Sequence, residues 1–337
     1  LVAMPFVNTN PAMKTSFGGI GMYMFSANSN DQVSPPSTAM LTGLYSTNKS
    51  YVFAAPLALF LAEDTWRLTA GVGTVRINND FTYDVDGPDV NLVYSDLRDL
   101  IFLEASRKIA GNVYLGVAYF GSRSRDRFDQ GSEDQNEFAK GLFQALGIGD
   151  TFISSLGLKA AYDSRDYPYF PTSGTNAVLT PVHFAKWLGS ETDFSKISYD
   201  IRHYHLLKPR HRLSARLAGG HSVGDVPCSG YPSFGSRHNL RGYPGGKYRG
   251  RHLIGLQAEY GWQFYGRWGM VAFGGVGSLW GGSAKEEEDI FEKELLPSIG
   301  TGVRFMLSEE RKINLRLDAA WGINGNHGLY LGIMEAF

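Results

Sequence analysis

Asp163 and Asp166, three residues apart, form a carboxylate pair of the kind used in general acid–base chemistry, but no histidine or nucleophile accompanies them. His203 and His205 share one face of an extended segment and could hold a divalent ion, yet a third ligand is not evident. His221 has none of the Ser or Asp partners a hydrolase needs. Gly242-Tyr243-Pro244-Gly245-Gly246-Lys247 has the composition of a phosphate cradle without the strand–loop–helix setting that makes one. Lys285-Glu286-Glu287-Glu288-Asp289 reads as a solvated loop, or as a bridge to lipopolysaccharide through divalent cations. The single cysteine, Cys228, excludes a disulfide framework and any cysteine-based metal centre. The sequence therefore predicts no catalytic residue, no bound metal and no cofactor; the chain reads as something other than an enzyme.

The elements that carry these residues are strands. Of 337 residues, 41 are Gly, 13% are aromatic and only 19% are charged, with a net charge of -1. That balance excludes a basic nucleic-acid binder. The longest apolar run, 51–62, is broken by Pro56 and falls short of the ~18 residues a membrane helix needs. Leu1 opens the chain without the basic and apolar regions of a signal peptide. Period-2 alternation recurs from Phe17 to the end. Ile313, Leu315, Leu317, Ala319 and Trp321 share one face, and Lys312, Asn314, Arg316 and Asp318 the other. The segments 212–219 and 254–264 repeat the pattern.

Three features separate a membrane barrel from a soluble sandwich. Trp66, Trp187, Trp262, Trp268, Trp280 and Trp321 fall near strand ends, as in interfacial girdles. Lys159, Asp163, Arg212, Arg216, Glu259, Arg316 and Asp318 would be prohibitive in a sandwich core, whereas a wet lumen accepts them. Short connections (63–65, 110–112, 208–210, 265–267, 308–311) alternate with long ones (77–91, 124–150, 188–192, 222–250, 281–294). The turn 164–173, on the short side, breaks the length rule. Fifteen strands are readable: 15–25, 38–46, 50–61, 65–76, 94–107, 112–122, 151–163, 174–186, 194–207, 211–222, 251–264, 268–279, 296–307, 312–323 and 328–337. Even strand numbers are the rule, so residues 1–7 are expected to close the cylinder at sixteen. The expected fold is all-β, a transmembrane antiparallel β-barrel forming one domain over 1–337.

Several separated motifs carry a family resemblance. They are the turn Asp163-Ser164-Arg165-Asp166 with Pro171 and Gly174, the loop tip Leu240-Arg241-Gly242-Tyr243, the strand Gln257-Ala258-Glu259-Tyr260, the strand Arg316-Leu317-Asp318, and the terminal Phe337. In this order they resemble the BamA-like outer-membrane assembly and surface-antigen superfamily, which includes two-partner-secretion transporters. The resemblance implies a sixteen-stranded Gram-negative outer-membrane barrel whose long extracellular loop, 223–250, folds into the lumen, where Arg241 pairs with inner-wall acids. Alternation puts Glu259 and Asp318 on that wall, so they are the expected partners. Phe337 is the expected C-terminal assembly signal. Two departures stand out: Gly275 sits where relatives often carry an acid, and Glu335 falls on the face of Leu329, Leu331, Ile333 and Phe337, reading as a residue at the periplasmic interface. All 337 residues are consumed by the barrel, leaving no room for POTRA repeats.

The expected function is insertion or translocation of proteins at the outer membrane, with lipids, lipopolysaccharide and client polypeptides as partners. The alternative is a passive pore, or the membrane anchor of a larger protein with a secreted patatin-like lipase passenger. The two differ in whether a client assay responds and in whether the loop plugs a conductance.

Overall fold

Outward-facing oil and inward-facing charge organise the whole molecule. The computed structural model describes residues 1–10, 13–83, 90–128, 150–227, 230–235, 239–243, 248–281 and 295–336. Its strands are β1 (Val2–Asn10), β2 (Lys14–Phe25), β3 (Ser37–Ser46), β4 (Tyr51–Leu61), β5 (Trp66–Tyr83), β6 (Val90–Ala110), β7 (Val113–Phe128) and β8 (Thr151–Asp163). They continue as β9 (Gly174–Phe184), β10 (Phe194–Lys208), β11 (His211–Gly224), β12 (His252–Tyr265), β13 (Trp268–Trp280), β14 (Leu296–Ser308), β15 (Ile313–Gly322) and β16 (His327–Ile333). All sixteen lie in one sheet, each hydrogen-bonded to its sequence neighbour. β1 and β16 return to within 8 Å of each other between Cα atoms, but among the described residues no ladder joins them. The result is a nearly closed antiparallel barrel.

The sidedness is inverted relative to a soluble protein. Along β14, Ile299 and Val303 are exposed while Ser298 and Arg304 are buried. Along β11, Leu213 is exposed while Arg212, Ser214 and Arg216 are buried. In water this arrangement would strand apolar surface outside and charge inside; in a bilayer it satisfies both. The tryptophans divide between the two rims. Trp66, Trp262 and Trp268 lie toward the short-turn end, and Trp187, Trp280 and Trp321 toward the long-loop end. Among the described residues no helix is long and apolar enough to cross a membrane.

The observed strands differ from the sequence expectation in length more than in number. β5, β6 and β7 have 18, 21 and 16 residues, well beyond the ~9–11 that cross a bilayer, so they continue past the membrane on the long-loop side. Asn78-Asn79-Asp80 resembles a turn in sequence, yet it pairs with Ser95, Tyr94 and Val93; cross-strand bonding overrides local preference. β9 ends at Phe184, two residues early, where a 3-10 turn over Lys186–Leu188 takes over. At the other end β16 stops at Ile333, and Met334 adopts φ 71°. The period-2 extrapolation to residue 337 therefore fails at Met334. Phe337 and Cys228 lie outside the described residues, as do residues 285–289.

Candidate functional site

Two segments pack against the buried residues of the wall: the described parts of the loop between β11 and β12, and the turn between β8 and β9. Ser233 and Arg249 form a β-bridge that gathers the loop. Asn239 holds the neighbouring bend, its side chain donating to the Ser233 carbonyl (3.1 Å) and accepting from the Gly235 amide (2.9 Å). Gly242 has φ +103°, and a Cβ there would stand 3.0 Å from the Trp321 carbonyl carbon and oxygen. Only glycine combines that backbone with that approach. Its N–H donates to the Tyr330 hydroxyl (2.9 Å), while the Tyr243 hydroxyl donates to Pro297 O (2.6 Å) and Ser298 Oγ to Arg241 O (2.5 Å).

These bonds deliver Arg241 to the buried face of the wall, where it is 0% exposed. Its Nη1 lies 2.8 Å from Glu259 Oε2 on β12 and 2.9 Å from Asp318 Oδ2 on β15, and Nε donates to Gln257 Oε1 at 3.2 Å. The Phe273 ring of β13 sits 3.5 Å from the guanidinium carbon, a cation–π stack. The loop's apolar side chains fill the space around it. Phe234, Leu240 and Tyr243 cluster with Leu253 and Leu296, all buried.

The wall makes room for them with glycine. A Cβ on Gly277 would lie 2.4 Å from Phe234, on Gly275 3.1 Å from Leu240, and on Gly322 2.6 Å from Tyr243. Gly275, which removes an acid expected from the family pattern, thus accommodates Leu240 instead. The high glycine count is the sequence signal for this, but only the fold shows which glycines face the loop.

The acids are shared. Arg304 Nη1 is 2.5 Å from Asp318 and Arg316 Nη1 is 3.0 Å from it. Arg212 and Arg304 also reach Glu335, at 3.0 and 3.2 Å, and Asn314 donates to Glu335 Oε1 at 2.6 Å. Glu335 is therefore not at the periplasmic interface with Leu329 and Leu331. The turn at Met334 takes it off that face and into the arginine cluster, where its side chain is 4% exposed. Gln257, Arg304 and Glu335 are members that sequence reasoning did not assign.

The β8–β9 turn is built from side-chain bonds to its own backbone. Arg165 grips Asp163 through Nε and Nη2, both at 2.8 Å, and donates to Pro168 O at 2.9 Å. Asp163 also accepts from Arg67 of β5 at 2.6 Å. Asp166 accepts from the amides of Thr172 (2.8 Å), Tyr167 (3.0 Å) and Ser173 (3.2 Å) and from the Thr172 hydroxyl. Burial opposes ionisation of Asp166, but these donors outweigh it and hold its pKa below the ordinary carboxylate range. Gly174, φ +99°, passes so close to Ser164 that a Cβ would meet its carbonyl at 2.2 Å. Pro171 O accepts from Arg212 at 3.2 Å, and the Phe170 ring lies 4.8 Å from the same guanidinium.

The remaining candidates stay apart. His203 bonds Thr175 at 2.9 Å, and among the described residues no three potential ligands assemble into a metal site. His221 meets His252 across β11 and β12 with ring nitrogens 3.4 Å apart, two donors without a third.

A sixteen-stranded barrel with this interior fits the sequence comparison: residues 42–328 match the Omp85 superfamily domain. The chain belongs to the Omp85 superfamily. As a member it is a bacterial outer-membrane barrel, and solved structures repeat its architecture. It is similar to BamA from Haemophilus ducreyi lacking POTRA domains 1-3 (13% identity, TM-score 0.56, covering 97% of this chain and 69% of that one). It is similar also to CdiB from Escherichia coli (12%, TM-score 0.66, 98% and 62%) and CdiB from Acinetobacter baumannii (11%, TM-score 0.62, 98% and 58%). At such identities the likeness is one of fold, and this Omp85 barrel spans about three fifths of the length of the two CdiB chains. A comparison with curated proteins finds no match.

Proposed function

We propose that this Omp85 barrel inserts or translocates polypeptides at the outer membrane, without catalysis, with loop 223–250 plugging the lumen and the β1–β16 junction receiving a client strand. The observation that carries the reading is the junction itself. Every other neighbouring pair of strands is laddered, whereas β1 and β16 are adjacent without a ladder among the described residues. Backbone groups left unpaired in lipid are costly, and an incoming strand satisfies them by β-augmentation. β16, with 7 residues, is also the shortest strand. The plug reading is supported by Arg241, whose partners on β12 and β15 are separated by two intervening strands. A side chain reaches both only from the concave side. Lipids and lipopolysaccharide surround the outer wall in this reading.

The test is insertion of a client barrel into liposomes carrying this protein, run beside planar-bilayer recordings with and without residues 223–250. Accelerated insertion, with conductance that rises when the loop is removed, supports the proposal. No acceleration and a steady open conductance would instead favour a passive pore.

A further inference from the structure

The β8–β9 turn reaches far beyond its own strands. Tyr169 Oη donates to Pro36 O, in the β2–β3 turn, at 2.5 Å. Tyr167 Oη donates to Arg311 O, in the β14–β15 turn, at 3.2 Å, and Lys312 lies over the Tyr167 ring at 5.5 Å. Strand order makes the direction of this reach clear. Six strands, β3 to β8, lie between the β8–β9 turn and the first of these turns, and another six, β9 to β14, lie between it and the second. The turn therefore arises from the wall opposite the β1–β16 junction, and its two tyrosines bond to the turns on either side of that junction.

What lies between those two turns is β15, β16, β1 and β2. Met22 and Met24 of β2 pack with Ile313 of β15 and Ile333 of β16 in a buried cluster, and Tyr169 packs against it. Arg311 closes the bracket by donating to Met24 O at 3.3 Å, from the β14–β15 turn to β2. A junction without its own ladder is thus held at the short-turn end by side chains, and two of the hydrogen bonds in that bracket come from one turn anchored across the mouth. The anchoring is firm, since Arg165, Asp163 and Arg67 tie the turn's root to β5.

We infer that the β8–β9 turn is a strap across the periplasmic mouth that keeps the β1–β16 junction shut, with Tyr167 and Tyr169 as its two fastenings. Opening the junction requires these bonds to break while the arginine-tied root stays in place. The strap's part in handling a client rests on the function proposed above; its part in closing the junction does not.

Hydrogen exchange on the intact chain in nanodiscs tests it. Replacing both tyrosines by Phe removes only two hydroxyls and their hydrogen bonds, so amides of Val2–Asn10 and His327–Ile333 should exchange roughly tenfold faster or more. Exchange in β10 to β12 should stay as in the wild type. Tyr169→Ala should accelerate the junction further by emptying the cluster. Unchanged junction exchange in the double Phe variant overturns the strap, as does acceleration spread evenly round the barrel. If Tyr169→Ala does not fold, the Phe variant alone decides. Client insertion assayed on the same preparations separates the two ideas: loss of the proposed function in the wild type leaves the exchange result standing.

Discussion

The loop tip and the β8–β9 turn both bond to parts of the wall beyond their own strands, but they are held by different physics. Arg241 sits fully buried in a cluster with Arg212, Arg304 and Arg316 against Glu259, Asp318 and Glu335. The turn's contacts across the mouth are neutral hydrogen bonds from tyrosine hydroxyls to carbonyls. Charges taken out of water are costly to leave unpaired, so the first arrangement resists partial opening. A neutral bond exchanged for one to water costs about 1 kcal/mol. The two differ accordingly: the arginine cluster fixes the loop tip, and the β8–β9 turn holds the contacts that give way more easily.

Breaking the loop side should have the largest effect. Arg241→Ala removes two charge-assisted bonds, to Glu259 and Asp318, each worth about 1.5–3 kcal/mol, read as a raised single-channel conductance with the barrel still folded by circular dichroism. Glu335→Gln keeps the Asn314 contact but weakens those to Arg212 and Arg304. About 1.5–3 kcal/mol should be lost, as for a charge-assisted bond, seen as a lower thermal midpoint. Gly277→Val places methyls where Phe234 stands, and overpacking of about 1–3 kcal/mol should expel the apolar part of the loop and increase protease access to it.

The turn side should respond more weakly. Asp166→Asn removes a charged acceptor from the Thr172 and Ser173 amides and should cost about 1–2 kcal/mol, measured as faster exchange in residues 164–173. The pH dependence sharpens the contrast. The folded pKa of Asp166 is depressed, so its stabilisation is present above the unfolded value of about 3.9 and lost as pH falls through the lower folded value. Exchange of the turn should therefore be flat from pH 7 to about pH 5, after correction for intrinsic rates, and rise only below about pH 4. Tyr169 stays a donor throughout, because burial pushes its hydroxyl up to about 12.

Much of this was legible from the sequence wherever period-2 alternation ran uninterrupted. β8, Thr151–Asp163, is the expected segment because polar residues mark both ends. That Glu259, Asp318 and Arg241 would meet is readable from strand parity together with family resemblance, and they stand 2.8 and 2.9 Å apart from the arginine. Arg304 is hidden because its face of Leu296–Ser308 also carries Leu296, Gly300, Gly302 and Met306, so the face does not read as polar. Glu335 was misassigned because nothing local announces that Met334 leaves the strand. The extension of β5 was missed because Asn78-Asn79-Asp80 carries turn chemistry that pairing overrides. The contacts of Tyr167 and Tyr169 are unreadable for another reason: their partners lie 144 and 133 residues away in sequence, and only barrel closure brings them near.

The central claim, that Arg241 holds loop 223–250 in the lumen, is tested most directly by hydrogen exchange at residues 230–243 in Arg241→Ala and wild type. The account predicts at least about a hundredfold acceleration there, with β10 to β12 unchanged. Equal loop protection in the two proteins would contradict it.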